Sequence, residues 1–288
     1  MYEKMLVAFD GAETSLPLVR QAAHFARLEN CSVHIVTACP KCNGELRIQG
    51  TTNVLNDMYE KISKSLDDIV GECKADGIEV YGHFCVGNPA EIVLEKIGDL
   101  GIDIVALGTH STQLLQSVVI GSVAEAVVRK TTCDLLILTG ANELSFESIF
   151  LAYDGSREAD AAARQACTLA ECYGSRLTAG IAYEMEMEAF SVYPAVETTV
   201  VDKTEQIVES IKSIVESTAV RDFDVVIRYG NPVHKALVEE AQKKEAGLIV
   251  VGTRAYSKLF HLLVGGVVYK LVYSSCPVLI VKNHSKPE

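Results

Sequence analysis

Short apolar runs alternate along the chain with amphipathic segments that have a helical period. The first run, Met5–Phe9, ends at an Asp-Gly pair, which is typical of a buried strand followed by a turn. Apolar residues then recur at helical spacing through Ser15–Leu28, and this spacing predicts a helix. The same patterns predict the other elements of the first half, the strands Val33–Cys39, Glu79–Val86, Ile102–Leu107 and Asp134–Leu138 and the helices Asn53–Cys73, Pro89–Leu100 and Ser122–Lys130. This alternation predicts an α/β fold, a doubly wound parallel sheet with helices on both faces.

Four sequence blocks of the first half return in the same order in the second half. The pairs are MLVAFDG and FLAYDGS, VGNPAEI and YGNPVHK, IVALGTH and IVVGTR, and IGSVAEAVV and VGGVVYKLV. Asp10 thus corresponds to Asp154, and Gly108 to Gly252. The period is far too long for a solenoid. We therefore expect two tandem domains of the same fold, residues 1–142 and 143–288, joined by a polar segment near Gly140–Ser148.

Composition and charge narrow the range of partners. The chain has 288 residues, and 26 Lys and Arg against 38 Asp and Glu give a net charge of −12. This charge disfavours nucleic-acid backbones and anionic membrane surfaces as partners. The apolar runs are much shorter than the roughly 20 residues that span a bilayer, and the first residues do not have the pattern of a secretory signal. Nine scattered cysteines, an odd number, fit a reducing compartment, so we expect a cytoplasmic protein.

Candidate ligand-binding residues fall where predicted strands end. Asp10 ends the first strand and Gly108 the fourth, and Gly121 and Ser122 open a predicted helix. In doubly wound sheets the ligand lies outside the carboxyl ends of the strands, and a helix N-terminus presents unpaired amides that suit a phosphate. The spacing alone leaves an alternative open, in which both glycines serve turns and Ser122 only caps the helix.

On these residues the chain resembles a tandem universal stress protein, and the resemblance covers almost the whole sequence. The nucleotide-binding signature of that family is Gly, two residues, Gly, nine residues, Gly, then Ser or Thr. This chain matches it at Gly108, Ser111, Gly121 and Ser122, with only the second glycine replaced. The resemblance implies a five-stranded sheet of order 3-2-1-4-5 in each domain, ATP or AMP as ligand, and a regulatory or protective role in the stress response.

The resemblance also implies roles for single residues and a mode of assembly. Asp10 would contact the adenine or the ribose. Neighbouring backbone contacts would fall at Ala8, Ala38, Leu107 and Val123. In the family, paired domains associate through their last strands, so we expect an intramolecular pseudo-dimer, and a homodimer of the whole chain remains open.

The second half departs further from the signature. Its corresponding positions are Gly252, Ala255, Gly265 and Gly266, so the hydroxyl is missing, although Asp154 is retained. Positive charge is instead present at Arg254, Lys258 and His261. We expect the first half to bind nucleotide more tightly, because a positioned hydroxyl and amides contribute more than exposed, screened side chains.

A Cys-x-x-C pair, Cys39 and Cys42, follows the second strand directly. Cys85 and His83 lie on the neighbouring strand, so these four side chains are candidate ligands for Zn²⁺. The pair is also compatible with a redox dithiol or with two unrelated cysteines.

No constellation of base, nucleophile and oxyanion donors is found, and neither a P-loop nor a nucleophile elbow is present. We therefore expect no dedicated enzyme, and at most a slow ATPase. Two alternatives remain: a partner-binding protein with degenerate, empty pockets, and a zinc or thiol sensor that acts through Cys39 and Cys42.

Overall fold

The chain divides into two compact units, Met1–Gly140 and Ala141–Glu288. The structure is a computed structural model that describes residues 2–40, 51–112, 117–119, 121–140, 142–184, 194–254 and 266–283. In the described part of the chain, no helix is long and apolar enough to cross a bilayer.

Unit 1 is built on a parallel sheet of five strands with a short antiparallel addition. Its elements are β1 (Lys4–Ala8), α1 (Leu16–Glu29), β2 (Ser32–Cys39), α2 (Thr51–Ala75), β3 (Val80–Val86), α3 (Pro89–Leu100), β4 (Ile104–Thr112), β5 (Ser117–Val119), α4 (Ser122–Lys130) and β6 (Asp134–Thr139). The parallel strands have the order β3-β2-β1-β4-β6, and β5 pairs with β4 in the antiparallel direction. Every residue of β6 is buried, as expected for a strand whose two faces are both covered.

Helices cover both faces of this sheet. A Cβ placed on Gly108 would lie 2.5 Å from Leu18 Cδ1, and one placed on Gly82 would lie 3.1 Å from Val70 Cγ2. The strand registers put these two glycines on the same face, so α1 and α2 lie together there. The crossovers from β3 to β4 and from β4 to β6 run in the opposite direction along the sheet, and their right-handed paths place α3 and α4 on the other face.

Unit 2 repeats this architecture. Its elements are β7 (Ser148–Ala152), α5 (Arg157–Tyr173), β8 (Arg176–Tyr183), α6 (Pro194–Glu216), β9 (Phe223–Tyr229), α7 (Val233–Lys243), β10 (Leu248–Arg254), α8 (Gly266–Leu271) and β11 (Val278–Asn283). Its parallel strands have the order β9-β8-β7-β10-β11. The predicted fold, with strand order 3-2-1-4-5 in each of two tandem domains, is confirmed.

The fourth strand of unit 1 is longer than the sequence pattern predicts. The fourth strand was expected to end at Leu107, but β4 continues to Thr112 and pairs with β5. Gly108 interrupts the apolar run without ending the strand. The β-branched residues Thr109, Thr112 and Val118 favour the extended conformation on both sides of the pairing.

Candidate functional site

A cavity of about 400 Å³ opens at the carboxyl edge of the unit 1 sheet. It lies where the chain leaves β1 for one face and β4 for the other, which is the place where doubly wound sheets bind ligands. This volume lies within the range of about 300–1,000 Å³ that is usual for small-molecule sites.

The cavity brings together most of the residues that the sequence singled out. Those that line it are Ala8, Asp10, Ala38, Leu107, Gly108, Gly121, Ser122 and Val123. Ser111 lies in β4, where its backbone pairs with Val118. Asp10 is the only charged residue among the described residues that line the cavity.

The N-terminus of α4 supplies hydrogen-bond donors to this cavity. The helix runs for nine residues, and its N-cap, Gly121, has no side chain that could accept a hydrogen bond from the first turn. The first helical hydrogen bond is donated by the Glu125 amide to the Gly121 carbonyl oxygen, at 2.9 Å. The amides of Ser122, Val123 and Ala124 precede this bond, so no carbonyl within the helix accepts from them. Together with the helix dipole, they suit an anion.

Asp10 has a structural role as well as its place in the cavity. Its Oδ1 accepts a hydrogen bond from the Ala12 amide at 2.9 Å, across a turn in which Gly11 has a φ of +81°. Unit 2 repeats this turn, since Asp154 Oδ1 accepts from the Ser156 amide at 2.9 Å. The aspartate therefore stabilises the turn after the first strand in both units.

The sequence did not reveal the helical residues that complete the wall. These are Leu18, Val19, Met58, Ile62, Pro89 and Val93. Their helical spacing is that of ordinary core positions, and no pattern separates a side chain that lines a cavity from one that fills a core.

The equivalent place in unit 2 is built differently. A Cβ on Gly252 would collide with the Glu158 carbonyl oxygen and would lie 2.8 Å from the Ala159 backbone nitrogen. Helix α5 therefore packs directly on β10 with its backbone, whereas Gly108 in unit 1 faces only the side chain of Leu18. The α5 face allows this approach because its buried residues are mostly alanine.

The predicted positive and glycine positions of unit 2 are only partly described. Gly266 is the first residue of α8, and Arg254 is the last residue of β10. Ala255, Lys258, His261 and Gly265 lie outside the described residues.

The strand register separates the proposed zinc ligands. Cys39 is the register partner of Val86, and Cys85 is the partner of Ala38. Adjacent residues of a strand point to opposite faces, so Cys39 lies on the face of α1 and α2 and Cys85 on the face of α3 and α4. Cys39 is also buried, at 3% exposure.

His83 shares the face of Cys85 but has another partner. Its Nε2 lies 3.1 Å from Nδ1 of His34, within hydrogen-bond distance. Cys42 lies outside the described residues. Among the residues that are described, no three His, Cys, Asp or Glu side chains come together as a metal site. The described part of the proposed set, Cys39, Cys85 and His83, thus does not converge.

Comparison with known proteins identifies the family. The model of the universal stress protein family matches twice, at residues 1–139 and 145–282. The chain belongs to the universal stress protein family. One match per structural unit confirms the tandem arrangement that the repeats predicted.

Curated universal stress proteins match one half of the chain at a time. One from Thermus aquaticus is 33% identical over 138 residues, which cover 48% of this chain and 99% of that protein. Universal stress protein YxiE of Bacillus subtilis is 24% identical over 153 residues, which cover 48% of this chain and 99% of that protein. The solved structure of a universal stress protein from Archaeoglobus fulgidus is similar to this fold, with a TM-score of 0.70 and 20% identity. The match covers 97% of this chain and 98% of that one.

Proposed function

We propose that unit 1 of this universal stress protein binds an adenine nucleotide, ATP or AMP, and that the chain acts as a regulatory or protective module in the stress response. The observation that carries the proposal is the N-terminus of α4, which opens with Gly121 and Ser122 into a cavity at the switch point of the sheet.

In this arrangement the phosphate accepts hydrogen bonds from the first amides of α4 and from the Ser122 hydroxyl. Gly121 has no side chain and open space beside it, so the phosphate can approach the backbone closely. Asp10 lies at the end of β1, where its carboxylate can accept hydrogen bonds from ribose hydroxyls or from the adenine amino group. The apolar walls exclude water and hold the faces of the base.

Unit 2 is the weaker site in this proposal. Its α8 has only six residues and begins with a glycine in the position of Ser122. The close approach of α5 to Gly252 takes up space next to the corresponding strand end. Nucleotide binding at unit 1 alone is therefore the expected state at moderate ligand concentration.

The test is titration calorimetry of the full chain with ATP, ADP and AMP, beside mass spectrometry of ligand released from freshly purified protein. Ser122→Ala removes a hydrogen bond to a charged group, which is worth about 1.5–3 kcal/mol, or about one to two decades in affinity. Asp10→Asn keeps an oxygen that can accept from the Ala12 amide, so it tests the charge without breaking the turn.

Asp154→Asn is the matched control in unit 2 and is expected to leave the affinity unchanged. If Asp154→Asn abolishes binding while the unit 1 variants retain it, the proposal names the wrong unit. Absence of heat with all three nucleotides at millimolar concentration would favour a partner-binding protein with empty pockets.

A further inference from the structure

The end of β2 forms one wall of the unit 1 cavity. Ala38, Cys39 and Pro40 are consecutive in the chain, and all three line the cavity. The ladder between β1 and β2 ends where the Phe9 amide donates to the Val36 carbonyl oxygen, at 3.0 Å. Alternate residues of a strand direct their backbone groups to the same neighbouring strand, so those of Ala38 point to the side where β1 has ended. The Ala38 amide and carbonyl are therefore accessible to a ligand in the cavity.

The order of the strands places this wall at the base end of the proposed ligand. In the proposed site the phosphate lies at the N-terminus of α4, which follows β4, and Asp10 lies at the end of β1. In the order β2-β1-β4, the first strand is two strands away from the last, which is about 10 Å across the sheet. A nucleotide held by its phosphate beside β4 and by its ribose beside β1 thus presents the edge of its base to the end of β2.

A hydroxyl from α2 fixes the last residue of this wall. Tyr59 Oη donates to the Pro40 carbonyl oxygen at 3.0 Å. Proline has no N–H, so this carbonyl is the backbone group through which a hydrogen bond can hold Pro40. The Tyr59 ring also meets the Phe84 ring of β3 edge to face, with centroids 6.0 Å apart. One residue earlier, the Cys39 carbonyl oxygen accepts from the Gly87 amide at 2.7 Å. Two successive carbonyls of the strand end are thus held, one from β3 and one from α2.

Tyr59 acts on the cavity from behind this wall. It is half-buried and is not among the described residues that line the cavity, although Met58 and Ile62 of the same helix do line it. Its effect on a ligand must therefore pass through Pro40.

Unit 2 has no tyrosine at the corresponding position. Ile62 and Ile207 each lie 2.8 Å from a Cβ placed on the glycine of the Asp-Gly turn, so these two residues correspond. Three residues earlier, Tyr59 corresponds to Thr204, which is 6% exposed. A threonine hydroxyl lies close to its own backbone and cannot extend to a strand end as a phenol hydroxyl does. The contact therefore belongs to the unit that keeps more of the nucleotide-binding signature.

We propose that Tyr59 is a positioning residue of the nucleotide site and that it sets the selectivity for adenine. By fixing Pro40, its hydroxyl holds the amide and carbonyl of Ala38 in place against the edge of the base. Adenine presents an acceptor, N1, beside a donor, the 6-amino group, and this pair matches an amide and a carbonyl. Hypoxanthine presents a donor at N1 and an acceptor at position 6, so a rigid strand end rejects it. This inference rests on the proposed nucleotide site.

The test compares AMP with inosine monophosphate (IMP), which has equal charge and nearly equal size, in calorimetric titrations of the full chain. We expect the wild type to bind AMP at least about tenfold more tightly, because IMP leaves the Ala38 amide and carbonyl unpaired. Tyr59→Phe keeps the ring against Phe84 and removes only the hydroxyl. It is expected to lower the AMP-to-IMP affinity ratio about fivefold, the equivalent of one ordinary hydrogen bond.

Two further variants separate positioning from other effects. Ser122→Ala weakens phosphate binding, which AMP and IMP share, so it leaves the ratio unchanged. Tyr81→Phe is the matched control, since the Tyr81 hydroxyl donates to Glu79 Oε1 at 2.6 Å on the edge strand β3 and neither residue lines the cavity. It removes the same chemical group and is expected to leave both the ratio and the affinity for AMP unchanged.

The outcomes separate the two proposals. If the ratio of Tyr59→Phe equals that of the wild type, the positioning role is overturned and the nucleotide site stands, even where urea denaturation shows a loss of stability. Equal affinities of the wild type for AMP and IMP also overturn it, because the strand end then does not distinguish the bases. An equal fall in the ratio for Tyr81→Phe overturns it as well. If neither AMP nor IMP binds, both proposals fall.

Discussion

Gly108 and Gly252 occupy equivalent positions in β4 and β10, but different neighbours require a glycine at each. At Gly252 the neighbour is the backbone of Glu158 and Ala159, which cannot move without displacing the whole of α5. At Gly108 the neighbour is the end of the Leu18 side chain, which can change its rotamer. The same residue type thus permits close helix packing in one unit and an open strand end in the other.

We expect Gly252→Ala to destabilise the protein by about 3 kcal/mol, at the upper end of the range for overpacking, because the rigid backbone of α5 must shift. Gly108→Ala should cost only about 1 kcal/mol, since one side chain adapts. Urea denaturation of the two variants in parallel measures the difference. Equal losses would show that the two helices lie equally close to their strands.

At the scale of elements, one three-residue motif has two structural outcomes. Gly-Asn-Pro lies at the start of both α3 and α7, as Gly87–Pro89 and Gly230–Pro232. In unit 1 the Asn88 side chain is the N-cap and accepts from the amides of Ala90 and Glu91 at 3.0 and 3.3 Å. In unit 2 the N-cap is Pro232, with no side-chain cap. The sequence predicted equivalent helices and could not show that only one asparagine caps its helix.

Asn88→Ala should therefore destabilise the protein by about 1 kcal/mol, the usual loss for a missing N-cap. Asn231→Ala, the same change in the other copy, is expected to stay within about 0.5 kcal/mol of the wild type. Thermal unfolding of both variants measures how much stability each one loses. A larger loss from Asn231→Ala would mean that this side chain stabilises its turn in another way.

For the whole molecule, stability at mildly acidic pH is expected to depend on a histidine pair, His34, which is buried, and His83, which is half-buried. Burial lowers the pKa of His34, and the neighbouring His83 and Lys4 lower it further, against an opposing effect of Glu79. Burial also lowers the pKa of His83, with a further contribution from Lys96. The folded state thus favours the neutral rings, whereas the unfolded chain takes up protons near pH 6.5.

A lowered folded pKa gives a stabilising contribution that is fully present above about pH 6.5 and is lost as the pH falls through the folded pKa values. The free energy of unfolding of the wild type should decrease between pH 7 and pH 5. The free energy of unfolding of His83→Gln should decrease less steeply over the same range. His24→Gln, on exposed α1 surface, is the control and should keep the wild-type slope. Urea denaturation across this pH range makes the comparison, and identical slopes for wild type and His83→Gln would contradict it.

The period of apolar positions and the internal repeats predicted the two units and the residues at the strand ends, whereas the strand order came from the resemblance to the universal stress protein family. The sequence could not predict how far α1 and α5 stand from their sheets. That distance depends on side-chain volume, which is larger for Leu18 and Val19 in α1 than for Ala162 and Ala163 in α5. In the sequence, all four residues have the pattern of ordinary core positions. The spacing of the cysteines also could not predict the strand register, which places Cys39 and Cys85 on opposite faces of the sheet.

The Asp-Gly turn that follows the first strand of each unit has a consequence for the evolution of duplicated domains. Asp154 accepts a hydrogen bond from the chain itself, so selection for correct folding alone suffices to maintain it after a gene duplication. A copy that no longer binds a ligand can therefore keep this aspartate while the glycine signature after its fourth strand accumulates substitutions. In such proteins the glycine signature, and not the aspartate, indicates whether a copy is still under selection to bind its ligand.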